Sequence, residues 1–136
     1  MLTGNFTNTL DDKGRISLPS RLRSELPGSS LIIANGVDRC LWVYVPEEWD
    51  SLSRKIMDGT SPFYAQSRSV MRRIISTAQE IEIDKTGRIA IPASLRKYAR
   101  LNSECIILAI QKYIESWDAD EYKANLDAIE VELLAA

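Results

Sequence analysis

Two stretches of the chain set an aspartate four residues before an arginine: Asp11 before Arg15, and Asp84 before Arg88. A glycine precedes each arginine, Gly14 in the first stretch and Gly87 in the second. Arginine's rigid five-donor fork suits phosphates and guanine edges. A carboxylate across a tight turn can hold such an arginine in one orientation. The same pairing also describes a surface salt bridge across a hairpin, which contributes little to stability. Lys13 adds a cation to the first turn, whereas the second carries Lys85 and Thr86.

Other chemistry is largely excluded. The chain has no histidine, which removes histidine-based nucleophilic catalysis, His-ligated zinc and a histidine pH switch. Cys40 and Cys105 lie far apart in apolar runs, and no C-x-x-C occurs. Both read as buried small hydrophobes. No phosphate-binding glycine loop or carboxylate dyad is evident, so neither an enzyme nor a cofactor is expected. The N-terminus has no signal-peptide pattern, and the longest apolar runs are six residues, far below the roughly 20 that span a bilayer. A cytoplasmic location is expected.

The elements that must position the arginines come twice. Leu10–Arg23 recurs as Ile83–Arg96 at an offset of 73, with seven of fourteen pairs identical. The same offset relates Tyr44 to Trp117, Glu48 to Glu121, Trp49 to Tyr122 and Ile56 to Ile129. A duplicated unit therefore covers 5–58 and 78–134, with 59–77 as a connecting helix. Each unit predicts a strand, an Asp-x-x-Gly turn and an alternating strand, Ile16 and Leu18 facing one side. A proline, Pro19 or Pro92, then opens a short helix. Two more strands follow, Leu31–Ala34 and Cys40–Val45 in the first unit, Cys105–Ile110 and Lys112–Ser116 in the second. An amphipathic helix closes each unit, carrying Trp49, Leu52 and Ile56 or Tyr122, Leu126, Ile129 and Leu133. These stripes are expected to pack in the core. The middle segment, Pro62–Gln79, reads as one helix with Val70, Met71, Ile74, Ile75 and Ala78 on its apolar face.

With 17 basic and 19 acidic residues, the net charge of −2 does not suggest a nucleic-acid ligand. Its distribution does. Residues 117–136 hold six acids and one lysine, and the remainder carries a net +3. A positive surface can therefore still face a polyanion.

The two motifs, together with Cys40-Leu41-Trp42-Val43-Tyr44-Val45-Pro46-Glu47-Glu48-Trp49 and Arg72-Arg73, resemble the MraZ family of bacterial transcriptional regulators. The resemblance covers nearly the whole chain. It implies a mixed α+β fold, a duplicated AbrB-like swapped-hairpin β-barrel with flanking helices. It further implies a homo-oligomeric ring that binds tandem repeats in double-stranded promoter DNA ahead of a cell-division and cell-wall gene cluster, mainly as a repressor. Arg15 and Arg88 match the family's DNA contacts, Asp11 and Asp84 their paired carboxylates, and Lys13, Gly14 and Gly87 the flanking turn positions. The chain departs from the family at Arg100 and Ala109, where glycine is common, and at Thr86, which replaces the lysine of the first copy. No membrane or small-molecule substrate is expected. An antitoxin-like module, its acidic terminal helix holding a partner protein, is the alternative.

Overall fold

A computed structural model describes residues 2–135, excepting the side chains of 131 and 133–135. The first half runs β1 (Leu2–Thr9), β2 (Arg15–Ser17), α1 (Ser20–Glu25), β3 (Ser30–Asn35), β4 (Leu41–Tyr44) and α2 (Pro46–Asp58). Next come α3 (Ala65–Arg73) and a 3-10 turn at Ile75–Thr77. The second half repeats the order as β5 (Gln79–Glu82), β6 (Arg88–Ala90), α4 (Ala93–Ala99), β7 (Glu104–Gln111), β8 (Tyr113–Asp118) and α5 (Ala119–Ala135).

The halves share their sheets. Six antiparallel strands lie in the order β1-β7-β8-β4-β3-β5, and β2 pairs with β6 as a separate two-stranded ribbon. Each half thus sends its first strand to the other: β1 lies on β7, and β5 on β3. The pairings between equivalent strands are symmetric about the offset of 73. Ile16 stands opposite Ile89 in the ribbon, and Trp42 opposite Glu115 where β4 meets β8. One hydrophobic core serves both halves, with Leu22, Leu31 and Ile33 joining Leu95, Cys105 and Ile107. Such sharing suits a chain whose half alone would bury too little surface to stay folded.

The expected barrel is not closed. β1 and β5 end the sheet at opposite edges and do not pair with one another. Each leaves the sheet through its tight turn, and the strand that follows spends its hydrogen bonds on the ribbon.

Three further expectations change. First, the offset is not uniform. Leu31 pairs with Ile81, while Cys105 pairs with Asn8, the counterpart of Ile81, so β3 and β7 correspond at 74. One extra residue enters where α4 ends, and Arg100 there adopts φ 56, ψ 35 as a left-handed cap. That conformation favours glycine, so the arginine at this position is held in strained backbone.

Second, the middle helix is shorter than Pro62–Gln79. Its backbone breaks at Ile74, φ −116 and ψ −66. Hydroxyls take over there: Thr77 Oγ1 donates to the Ile74 carbonyl at 2.7 Å and accepts the Asn35 N–H at 3.0 Å, tying the segment to β3. Of its apolar face only Ile74 is buried.

Third, the closing helices do not bury their stripes. Leu126 is 48% and Ile129 46% exposed, α2 has no fully buried residue, and the Leu133 side chain lies outside the described residues. Helix α5, at 17 residues, extends about 25 Å, beyond the reach of the six-residue β8 beside it. Among the described residues, its anchoring contacts lie at the start. Asp118 Oδ2 accepts the Glu121 N–H at 3.2 Å, and the Trp117 and Tyr122 rings meet at 5.3 Å. The Glu121 carboxylate does not close a capping box; it pairs with Arg100 at 3.2 Å.

Candidate nucleic-acid interface

The two Asp-x-x-x-Arg turns have nearly the same geometry. In the first, the Gly14 N–H donates to the Asp11 carbonyl at 3.1 Å, and the Asp11 N–H to the Arg15 carbonyl at 2.9 Å. Gly14 takes φ 76, completing a type I turn with a one-residue bulge. Gly87 takes φ 80 in the second, and Gly87 and Asp84 make the same two bonds at 3.0 and 2.9 Å.

The aspartate organises each turn. Asp11 Oδ1 accepts the backbone N–H of Lys13 at 2.9 Å and of Arg15 at 2.8 Å, while Oδ2 accepts Arg15 Nε at 2.8 Å. Asp84 Oδ1 accepts the N–H groups of Thr86 and Arg88, each at 2.9 Å, and Oδ2 accepts Arg88 Nε at 3.0 Å. Thr86 Oγ1 adds a fourth bond at 2.9 Å. The Arg88 N–H first, then the Thr86 bonds, hold the Asp84 carboxyl down at about 2; Arg15 and Lys13 lower Asp11 in the same direction. Each carboxylate is thus ionised at neutral pH and grips its arginine through Nε. The two terminal nitrogens of each guanidinium make no bond to that aspartate, which leaves them as donors for another group.

The ribbon brings the turns together. Arg15 pairs with Ala90 and Arg88 with Ser17, so both arginines occupy the ribbon face opposite buried Ile16 and Ile89. Their Cα atoms stand diagonally, about 8 Å apart from strand spacing and rise. Each turn also hydrogen-bonds the other half: the Leu18 N–H reaches the Gly87 carbonyl, and the Ile91 N–H the Gly14 carbonyl, both at 2.9 Å. A shift in one hairpin is therefore felt by the other.

Arg23 and Arg96, the last residues of the repeated segment, also stand at the turns. The Arg96 guanidinium covers Gly14 where a Cβ would otherwise stand, and its Nε is buried with no hydrogen-bond partner among the described residues. Arg23 lines a hollow of about 490 Å3 with Ser20, Lys85, Thr86 and Gly87, and its Nη1 donates to the Leu26 carbonyl at 3.4 Å. The repeated Leu-Arg after each proline was the available signal. The two turns are therefore not identical: Gly14 is covered, and Gly87 faces open space.

No group of three or more histidine, cysteine, aspartate or glutamate side chains able to hold a metal occurs among the described residues. No helix among them is long and apolar enough to cross a membrane. Cys40 and Cys105 are free and buried, and burial raises both thiols, Cys105 to about 11.

The family model for MraZ proteins, described as antitoxin-like, matches residues 1–72 and 74–135. A protein named transcriptional regulator MraZ from Treponema denticola is 52% identical over 125 residues, covering 92% of this chain and 87% of the relative. One of the same name from Treponema pallidum is 42% identical, covering 98% and 89%. Another from Limosilactobacillus fermentum is 36% identical, covering 94% and 88%. With both halves matched and such relatives aligned along nearly its full length, the chain belongs to the MraZ family of transcriptional regulators.

Proposed function

We propose that the chain is a sequence-specific DNA-binding repressor and not an enzyme. The observation carrying this reading is the ribbon face, on which two aspartate-buttressed arginines stand side by side, each held through Nε with its terminal nitrogens left free of the aspartate. A two-stranded ribbon fits the major groove. Arg15 and Arg88 reach base edges; Lys13 and the backbone at Gly14 and Gly87 approach phosphates and set register. Asp11 and Asp84 act by positioning the arginines.

The fold is read as AbrB-like, its swapped hairpins being the β1–β2 and β5–β6 pairs that lie across the opposite half. The chain divides into a first repeat at 5–58, a connector at 59–77 and a second repeat at 78–134. Several chains form a ring on tandem promoter repeats, ahead of the cell-division and cell-wall cluster, in the cytoplasm and on the nucleoid. The unburied stripe of α5, with Leu126 and Ile129, supports self-association. A ring makes each successive contact nearly intramolecular, so a weak single ribbon gains avidity of about 100-fold or more. That answers how a chain of net charge −2 holds DNA.

The test is a gel shift on DNA upstream of the chain's own gene. Arg15→Ala is expected to abolish binding while sedimentation shows the oligomer intact. Wild-type affinity for that variant would overturn the reading. Binding should also weaken steeply with salt, as phosphate contacts release counterions.

A further inference from the structure

The duplication supplies an internal comparison away from the ribbon. Two clefts lie on the sheet face turned from the shared core, related by the offset of 73. One, of about 380 Å3, sits between α2 and the β7–β8 turn. Its mate, of about 400 Å3, sits between α5 and the β3–β4 loop. Tyr44, Glu48 and Lys112 of the first correspond to Trp117, Glu121 and Arg39 of the second.

The mate engages its charges internally. Arg100 holds Glu121 at 3.2 Å, and the Arg39 guanidinium lies 4.8 Å from the Tyr98 ring centroid. Asn125 stands there in place of Leu52.

The first cleft has gone the other way. The Tyr44 and Tyr113 rings stack at 5.2 Å and 7°. Burial first, then neighbouring acidic groups, lift Tyr44 to about 12 and raise Tyr113, so both phenols are neutral at physiological pH. Leu52 and a 41% exposed Ile110 add apolar surface. Lys55 and Lys112 line the same cleft and form no ion pair among the described residues. Gln111, at φ 59, bends the β7–β8 turn that carries Lys112. A two-residue hairpin turn requires such a conformation, and it fixes where Lys112 stands.

We propose that this cleft binds a small amphipathic anion, a flat aromatic body bearing a carboxylate or sulfonate. The aromatic body lies against Leu52, Ile110 and the tyrosine pair, and the anionic group meets Lys55 and Lys112. The volume is that of a small-molecule site. Glu48 in the lining disfavours a second negative charge, which selects monoanions.

The probe is 1-anilinonaphthalene-8-sulfonate, titrated into the full chain at pH 7 and followed by its fluorescence, with circular dichroism reporting the fold. One saturable site per chain is expected. Lys55→Gln with Lys112→Gln should weaken it at least about tenfold, and the uncharged analogue N-phenyl-1-naphthylamine should bind the wild type weaker by a similar factor. Leu52→Glu should remove the site, and Arg39→Gln in the mate cleft should leave it unchanged. Equal binding by the double lysine variant, or by the uncharged analogue, would overturn the proposal. So would dissociation of an oligomer by Leu52→Glu in sedimentation, because a second copy of the chain would then occupy the cleft. Failure here leaves the ribbon reading untouched, since none of these residues lies on the ribbon.

Discussion

Gly14→Ala and Gly87→Ala are the same substitution in equivalent turns, and the structure separates them. Both glycines hold left-handed backbone, φ 76 and φ 80. A Cβ in that conformation costs about 1–2 kcal/mol. At Gly87 nothing else lies near the new methyl. At Gly14 the methyl would enter space held by the Arg96 guanidinium, which must swing away. A terminal group can move, so the added cost is about 1 kcal/mol. Gly14→Ala should therefore destabilise by about 2–3 kcal/mol and Gly87→Ala by about 1–2 kcal/mol. In a chain of this size, each kcal/mol lowers the melting midpoint by roughly 3–5 °C. The assay is urea unfolding at one fixed chain concentration, because association would shift the midpoint. A double-mutant cycle with Arg96→Ala isolates the contact. In the Arg96→Ala background, Gly14→Ala should cost no more than Gly87→Ala. An unchanged gap between the two turns in that background would refute the assignment of the difference to Arg96.

Arg100 is a non-glycine residue in left-handed backbone, and its exposed pair with Glu121 is weak. Arg100→Gly should accordingly raise stability, by about 0.5 kcal/mol in urea unfolding; a clear loss would show the pair outweighing the strain. The Asp84 carboxyl lies below its ordinary value of 3.8, at about 2. Its contribution to stability is therefore complete above pH 3.8 and is lost as pH falls through about 2, and Asp84→Asn should flatten the unfolding midpoint across that window. An unaltered acid slope would refute it. Leu22 is fully buried in the shared core, so Leu22→Ala should cost about 2–5 kcal/mol and loosen both halves in hydrogen exchange. Protection lost in the first half alone would contradict a common core.

Much of the site was legible in one dimension. Asp-x-x-Gly-Arg encodes a turn locally: the carboxylate reaches N–H groups two and four residues on, and glycine supplies the positive φ. The period-two pattern at Ile16 and Leu18, and the prolines behind them, likewise needed no distant partner. The seating of Arg96 on Gly14 and of Arg23 beside Gly87 was not legible, because each joins residues from opposite halves. The one-residue slip between β3 and β7 was hidden for a related reason. Register follows the pairing strand, which no offset within the chain reports.

The helices mark the same boundary. A periodic apolar stripe specifies a helix, and α2 and α5 formed where the sequence placed them. It does not specify what covers the stripe, which depends on how far the neighbouring sheet extends; β8 ends and α5 continues. By itself, then, the sequence determined the duplication, the buttressed arginines and the family, since these are local patterns and their recurrence. The tertiary structure alone decided that the first strands cross between halves, that the sheet stays open, and that both arginines share one ribbon face. Those outcomes depend on which strand edges find one another, and backbone hydrogen bonds carry no sequence label.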